Sequence, residues 1–98
     1  MIKLQIYYKI NHLNLVFVLQ GLFMFEKVEI YSKSNCSYCV MAKSYFESNN
    51  INYILHDAED IDVFKELLVR NPAARTMPQI FINDVLIGGY TDLVEWVK

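Results

Sequence analysis

A short strand-like run, Val28-Glu29-Ile30-Tyr31, gives way almost at once to a helical pattern, and Cys36-Ser37-Tyr38-Cys39 stands at the join. That sequence of events constrains the fold more than any other stretch. A strand followed closely by a helix with one apolar stripe is the opening of a βαβ unit, which should be parallel and right-handed. It also fixes where the only two cysteines go. Cys36 falls at or near the first helical turn, and Cys39 one turn later on the same face. A helix N-terminus carries partial positive charge and unpaired N–H donors, which favour a thiolate at Cys36. Lys33 adds a positive charge nearby.

The pair has three possible uses. Structural zinc wants four ligands, and beyond the cysteines the chain offers only His12 and His56. A purely structural disulfide closing so short a loop would add little to a chain that can bury its own core. Redox chemistry is the third use and the one the position favours. Lowering a thiol pKa from about 8.5 to about 6 raises its thiolate fraction at pH 7 roughly 30-fold. Intrinsic nucleophilicity falls roughly 10-fold in compensation, so the larger benefit is that the sulfur leaves a mixed disulfide easily.

The remaining elements follow from period and punctuation. Lys27–Ser32 reads as strand one, Ser37–Ser48 as a helix with Val40, Met41, Ala42, Tyr45 and Phe46 inward, and Ile51–His56 as a buried second strand. Asp57 to Asp60 is a polar turn suited to capping a second helix. There Ile61, Phe64, Leu67 and Leu68 form one face, and Asn71-Pro72 end it. Pro78–Ile82 and Val85–Ile87 read as antiparallel strands around an Asn83-Asp84 turn. Thr91 or Asp92 would cap a last helix carrying Leu93, Val94, Trp96 and Val97. The order is βαβαββα, an α/β layer fold with a four-stranded mixed sheet. Trp96 and Phe64 are expected in the core, His56 as a structural histidine, and Asp57, Asp60 and Asp62 as a solvated acidic face.

Charge is unevenly placed. Residues 1–25 carry Lys3 and Lys9 and no acid, while the rest carries a net charge of −4, which argues against nucleic acid as a partner. Leu13 to Phe25 is an apolar run too short to span a bilayer as a helix. Residues 1–24 are set apart as an extension from a domain at 25–98. Three accounts of it stand open: an upstream stretch before a true start at Met24, a short packing or membrane-surface helix, or a signal or anchor.

Three motifs together resemble those of glutaredoxins: Cys36-Ser37-Tyr38-Cys39 after strand one, Thr76-Met77-Pro78-Gln79-Ile80-Phe81-Ile82 before strand three, and Gly88-Gly89-Tyr90-Thr91-Asp92-Leu93 at the last helix. The resemblance covers about three quarters of the chain, from Phe25 to Lys98, and implies a thioredoxin-like (glutaredoxin) fold. It also implies a cytoplasmic, glutathione-dependent thiol–disulfide oxidoreductase that reduces protein disulfides and protein–glutathione mixed disulfides. Cys36 would be the nucleophile and Cys39 the resolving thiol. Pro78 would follow a cis bond, leaving the backbone of Met77 free to pair with an extended peptide; an ordinary trans proline at a strand start is the alternative.

In the third motif two glycines would let the backbone approach a ligand. Thr91 and the N–H groups of Thr91 and Asp92 would take the γ-glutamyl carboxylate of glutathione, and the Asp92 side chain its amine. A plain glycine turn with a helix cap is the alternative there. Lys33 and Arg75 would hold the glycyl carboxylate, with Tyr38, Thr76 and Gly89 beside the tripeptide. The family's commoner motif has proline where Ser37 stands. Members with serine there include some that hold a [2Fe–2S] cluster between two subunits through the first cysteine of each and two glutathiones. This gives an alternative of another class: a cluster-bridged homodimer acting as an iron–sulfur carrier or sensor, against a monomeric reductase. A redoxin served by a reductase rather than by glutathione is the third expectation.

Overall fold

The computed structural model describes residues 25–98; the expectations for 1–24 lie outside the described residues. Seven elements follow in order: β1 Val28–Ser32, α1 Ser37–Ser48, β2 Ile54–Asp57, α2 Ile61–Arg70, β3 Gln79–Ile82, β4 Val85–Gly88 and α3 Tyr90–Trp96. They form one four-stranded sheet in the order β2-β1-β3-β4. β1 runs parallel to β2 and antiparallel to β3, and β3 runs antiparallel to β4. This is the expected element order and mixed sheet.

β1 is central, so all five of its residues are buried. Its period-2 alternation feeds two cores. Val28 and Ile30 pack with Ile80, Ile82, Ala42 and Phe46 of α1 and Leu93 of α3. Tyr31 packs with Phe81, Leu67 of α2 and Ala74 on the other face. Burying a large apolar side chain of this kind contributes about 1.5–3 kcal/mol. Phe25 closes the first core edge-on, with ring centroids 6.2 Å from Phe46 and 5.8 Å from Trp96.

Local chemistry sets the element ends. Asn50, at φ 58°, takes the left-handed position that stops α1. Asp60 caps α2 by accepting from the N–H groups of Asp62 at 2.9 Å and Val63 at 3.2 Å. Asn83 and Asp84, at φ 53° and 67°, make the two-residue turn between β3 and β4.

Several expectations are corrected. β2 starts at Ile54, not Ile51, and is an edge strand with Ile54 and Leu55 half exposed rather than a buried one. With β1 on one side only, its outer side meets no further strand among the described residues. In α1 the buried residues are Cys39, Ala42 and Phe46, while Val40 and Met41 face solvent. The stripe is displaced because it must follow Cys39, which the capping geometry turns inward. Ile61, at the first turn of α2, is exposed, and Trp96, in the last turn of α3, is only partly covered.

A charged group lies inside the second core. Glu29 is 6% exposed and forms a bidentate pair with Arg70, both N–O distances 3.0 Å. His56 Nε2 stands 3.0 Å from the same carboxylate, and Arg70 also donates to the Tyr31 hydroxyl at 2.9 Å. The guanidinium lies over Phe81, 3.9 Å from the ring centroid. Burial alone would push the Glu29 carboxyl up. The hydrogen bonds from Arg70 and His56, with the charges of Arg70 and Lys27, outweigh it and hold the group below its ordinary value. His56 is thus a satisfied structural histidine.

Removing one partner of such a pair leaves a buried charge alone. Arg70→Met should cost about 3–5 kcal/mol in urea unfolding, and adding Glu29→Gln should recover much of it. A Glu29 pKa that is depressed in the folded state contributes stability present above its ordinary value of 4.5 and lost as pH falls below it. Unfolding free energy measured from pH 7 to pH 3 should fall below that point, and fall less in the Glu29→Gln/Arg70→Met protein.

Candidate active site

The site is built where β1 hands over to α1. Asn35, at φ 53°, turns the chain, and Cys36 then caps the helix itself, with extended dihedrals of −129° and 100°. Its Sγ accepts from the Cys39 N–H at 3.1 Å. No acidic residue stands in the first turn of α1 to offset the helix dipole. Both features favour negative charge on Cys36. The two sulfurs are bonded as a disulfide. Their surroundings differ: Cys36 is half-buried at the surface, while Cys39 is 1% exposed.

A second segment closes over the pair. The Met77–Pro78 bond is cis, as expected, and the Met77 carbonyl oxygen lies 3.6 Å from Cys36 Sγ. The segment is anchored by Gln79, whose Nε2 donates to the Thr76 carbonyl at 2.8 Å and whose Oε1 accepts from Asn71 Nδ2 at 3.0 Å. The third segment meets the second at Gly89, where an added Cβ would sit 3.7 Å from the Pro78 carbonyl oxygen. Tyr38, 54% exposed, stacks on Tyr90 at 6.1 Å between centroids. The structure therefore brings Cys36, Cys39, Tyr38, Met77, Pro78 and Gly89 together. Lys33, Arg75 and Thr91 are exposed, and their side chains make no ion pair or hydrogen bond among the described residues. Among those residues no three His, Cys, Asp or Glu side chains converge as a metal set.

Two details of the third motif differ from expectation. The cap of α3 is Gly89, not Thr91 or Asp92, because the Asp92 carboxylate reaches back to the Gly89 N–H at 2.9 Å. Thr91 and Asp92 are thus the second and third residues of the helix. The two glycines also have different reasons to be there. At Gly88, φ is 122°, and a Cβ would run into the Asp92 carboxylate. Gly89 has ordinary dihedrals and only ordinary contacts. Tyr90 and Gln79 were missed as site residues. An aromatic directly after two glycines and a carboxamide directly after proline were the available signals.

The glutaredoxin family model matches residues 28–87. Glutaredoxin 1 of Escherichia coli (strain K12) is 37% identical over 76 residues, covering 70% of this chain and 89% of that protein. The mitochondrial glutaredoxin-2 of Rattus norvegicus is 43% identical over 68 residues, 66% of this chain and 43% of that one, so the chain spans less than half the length of that relative. The crystal structure of a buckwheat glutaredoxin–glutathione complex superposes with a TM-score of 0.61 at 26% identity, covering 79% of this chain and 73% of that one. The chain belongs to the glutaredoxin family, and its fold is the thioredoxin-like one of that family.

Gly88→Ala should cost about 1–3 kcal/mol in urea unfolding, because a left-handed position and a clash with Asp92 combine. Gly89→Ala should cost less than about 1 kcal/mol. Equal losses at the two positions would mean that one constraint holds both glycines.

Proposed function

We propose that the protein is a dithiol glutaredoxin that reduces protein disulfides and glutathione mixed disulfides. The observation that carries this is the asymmetry of the bonded cysteine pair: Cys36 half-exposed at a helix cap, Cys39 buried behind it. The Cys36 thiolate attacks a substrate disulfide. One S–S bond forms as the other breaks, and the departing thiolate takes a proton from solvent. On a protein disulfide, Cys39 then attacks Cys36, expels the reduced client and leaves the Cys36–Cys39 disulfide. Two glutathiones reduce it and leave as glutathione disulfide. On a glutathionylated protein, Cys36 takes the glutathionyl group, and a second glutathione removes it without Cys39.

The glutathione site in this proposal is the surface around Cys36. Met77 would pair its backbone with the cysteinyl unit of the tripeptide, beside Pro78 and Thr76. Its N–H has no acceptor among the described residues. Tyr38 and Gly89 would flank it. Thr91 and the first turn of α3 would take the γ-glutamyl carboxylate. Asp92 would face the amine with the carboxylate oxygen not bonded to Gly89. Lys33 and Arg75, uncommitted to other side chains, would hold the glycyl carboxylate. A reducing compartment such as the cytoplasm suits a dithiol cycle of this kind.

Cys36→Ser should abolish activity on both substrate classes. Cys39→Ser should keep glutathione-dependent reduction of a small mixed disulfide and lose reduction of a protein disulfide. Loss of both in Cys39→Ser would overturn the roles. A visible spectrum of anaerobically purified protein tests the monomeric reductase: a colourless, active monomer is expected, and a coloured, inactive dimer would replace it with a cluster-bridged form.

A further inference from the structure

Gln79 follows Pro78 in the second motif and reads at first as one more residue of a buried strand. Yet it is a carboxamide, 7% exposed, at the first position of a central strand. Such a group is costly to bury unless both its ends are bonded. Both are: Nε2 donates to the Thr76 carbonyl at 2.8 Å, and Oε1 accepts from Asn71 Nδ2 at 3.0 Å. Asn71 is itself fixed, since it is the C-cap of α2 and its N–H donates to the Leu67 carbonyl at 2.7 Å. Its remaining side-chain oxygen accepts from the Ala73 N–H at 3.2 Å. The result is a continuous path from the end of α2, through two carboxamides, to the backbone directly preceding Met77.

That endpoint is what makes the path more than a way of satisfying a buried amide. Thr76 and Met77 share the peptide group whose carbonyl Gln79 holds and whose N–H belongs to Met77. The Met77 carbonyl in turn lies 3.6 Å from Cys36 Sγ. Residues 72–76 are otherwise mostly exposed loop, with Ala74 as their single buried contact. We propose that Gln79, held by Asn71, is a positioning residue that fixes the Thr76–Met77 peptide plane beside Cys36, and so sets how well a disulfide substrate is seated for attack. This rests on the function proposed above for the surface at Met77. Neither carboxamide touches the reacting sulfur.

The expected signature is a split between binding and chemistry. Cys36 keeps its cap, its helix and Cys39, so the chemical step should survive; the seat for the substrate backbone should not. Gln79→Ala should raise KM for a glutathionylated peptide about 3- to 10-fold, the loss of one to two hydrogen bonds' worth of ordering, with kcat changed less than about 2-fold. Asn71→Asp keeps the acceptor for Ala73 and removes the donor to Gln79. It should move KM the same way by a smaller factor, and it carries the test if Gln79→Ala does not fold. Carbonyl 13C shifts of Thr76 and Met77 in the oxidised protein give a readout independent of glutathione. They should move in both variants, while those of Cys36 and Ser37 stay put.

Unchanged KM in both variants, or a fall in kcat with KM constant, would overturn the proposal. So would unmoved Thr76 and Met77 shifts alongside a lowered melting temperature, which would make the path structural support only. If the unaltered protein does not use glutathionylated peptide, the functional proposal fails, and the carbonyl shifts still decide whether the two carboxamides position that peptide plane.

Discussion

β1 has a neighbour on each side and a helical layer on each face, so none of its five residues reaches solvent. Everything else is arranged by that enclosure. Its alternation sends Val28 and Ile30 to α1 and α3, and Glu29 and Tyr31 to α2. Its C-terminal end is consequently a fixed point, held laterally by β2 and β3, from which the chain must leave the sheet. The turn at Asn35 takes it directly into α1. The Cys36 sulfur thus stands just beyond the end of a fully buried central strand, which is the sort of support a positioned nucleophile requires.

The same enclosure creates a liability at Glu29. A carboxylate on a central strand would be strongly destabilising without partners. Arg70 supplies two hydrogen bonds from the last turn of α2, and His56 a third contact from β2. This cluster ties three elements of the second core to one register. Arg70 is also the last residue of α2, and Asn71, the cap immediately after it, is where the carboxamide path to Thr76 begins. The buried charge pair and the active-site loop are therefore linked through one helix terminus.

Much of this was legible in the residues. The helix Ser37–Ser48, the cap at Asp60, the stop before Pro72 and the turn at Asn83-Asp84 all follow from local rules, because each depends on groups within a few positions. The cysteine pair was legible for the same reason. What failed was burial. Ile54 and Leu55 look as apolar as Ile80 and Phe81, and only the strand order makes the first pair edge residues and the second central. Val40 and Met41 look like core until Cys39 is placed inward. The expected cap of the last helix, Thr91 or Asp92, falls two or three residues past Gly89 because the Asp92 carboxylate can act backward on Gly89 as easily as forward. The Glu29–Arg70 pair, 41 positions apart, carries no local signal at all.

Cys36 serves two offices with one atom. In the proposed cycle its sulfur is the nucleophile, and it is also the acceptor that closes the first turn of α1 through the Cys39 N–H. The strength of that closure follows the charge on sulfur, weakest as a disulfide and greatest as a thiolate. In the oxidised protein the Cys36–Cys39 disulfide bridges the same turn covalently, so the turn does not rest on the hydrogen bond alone. Tyr38, in that turn, stacks on Tyr90, so the front of α1 and the start of α3 meet directly beside the cysteine pair.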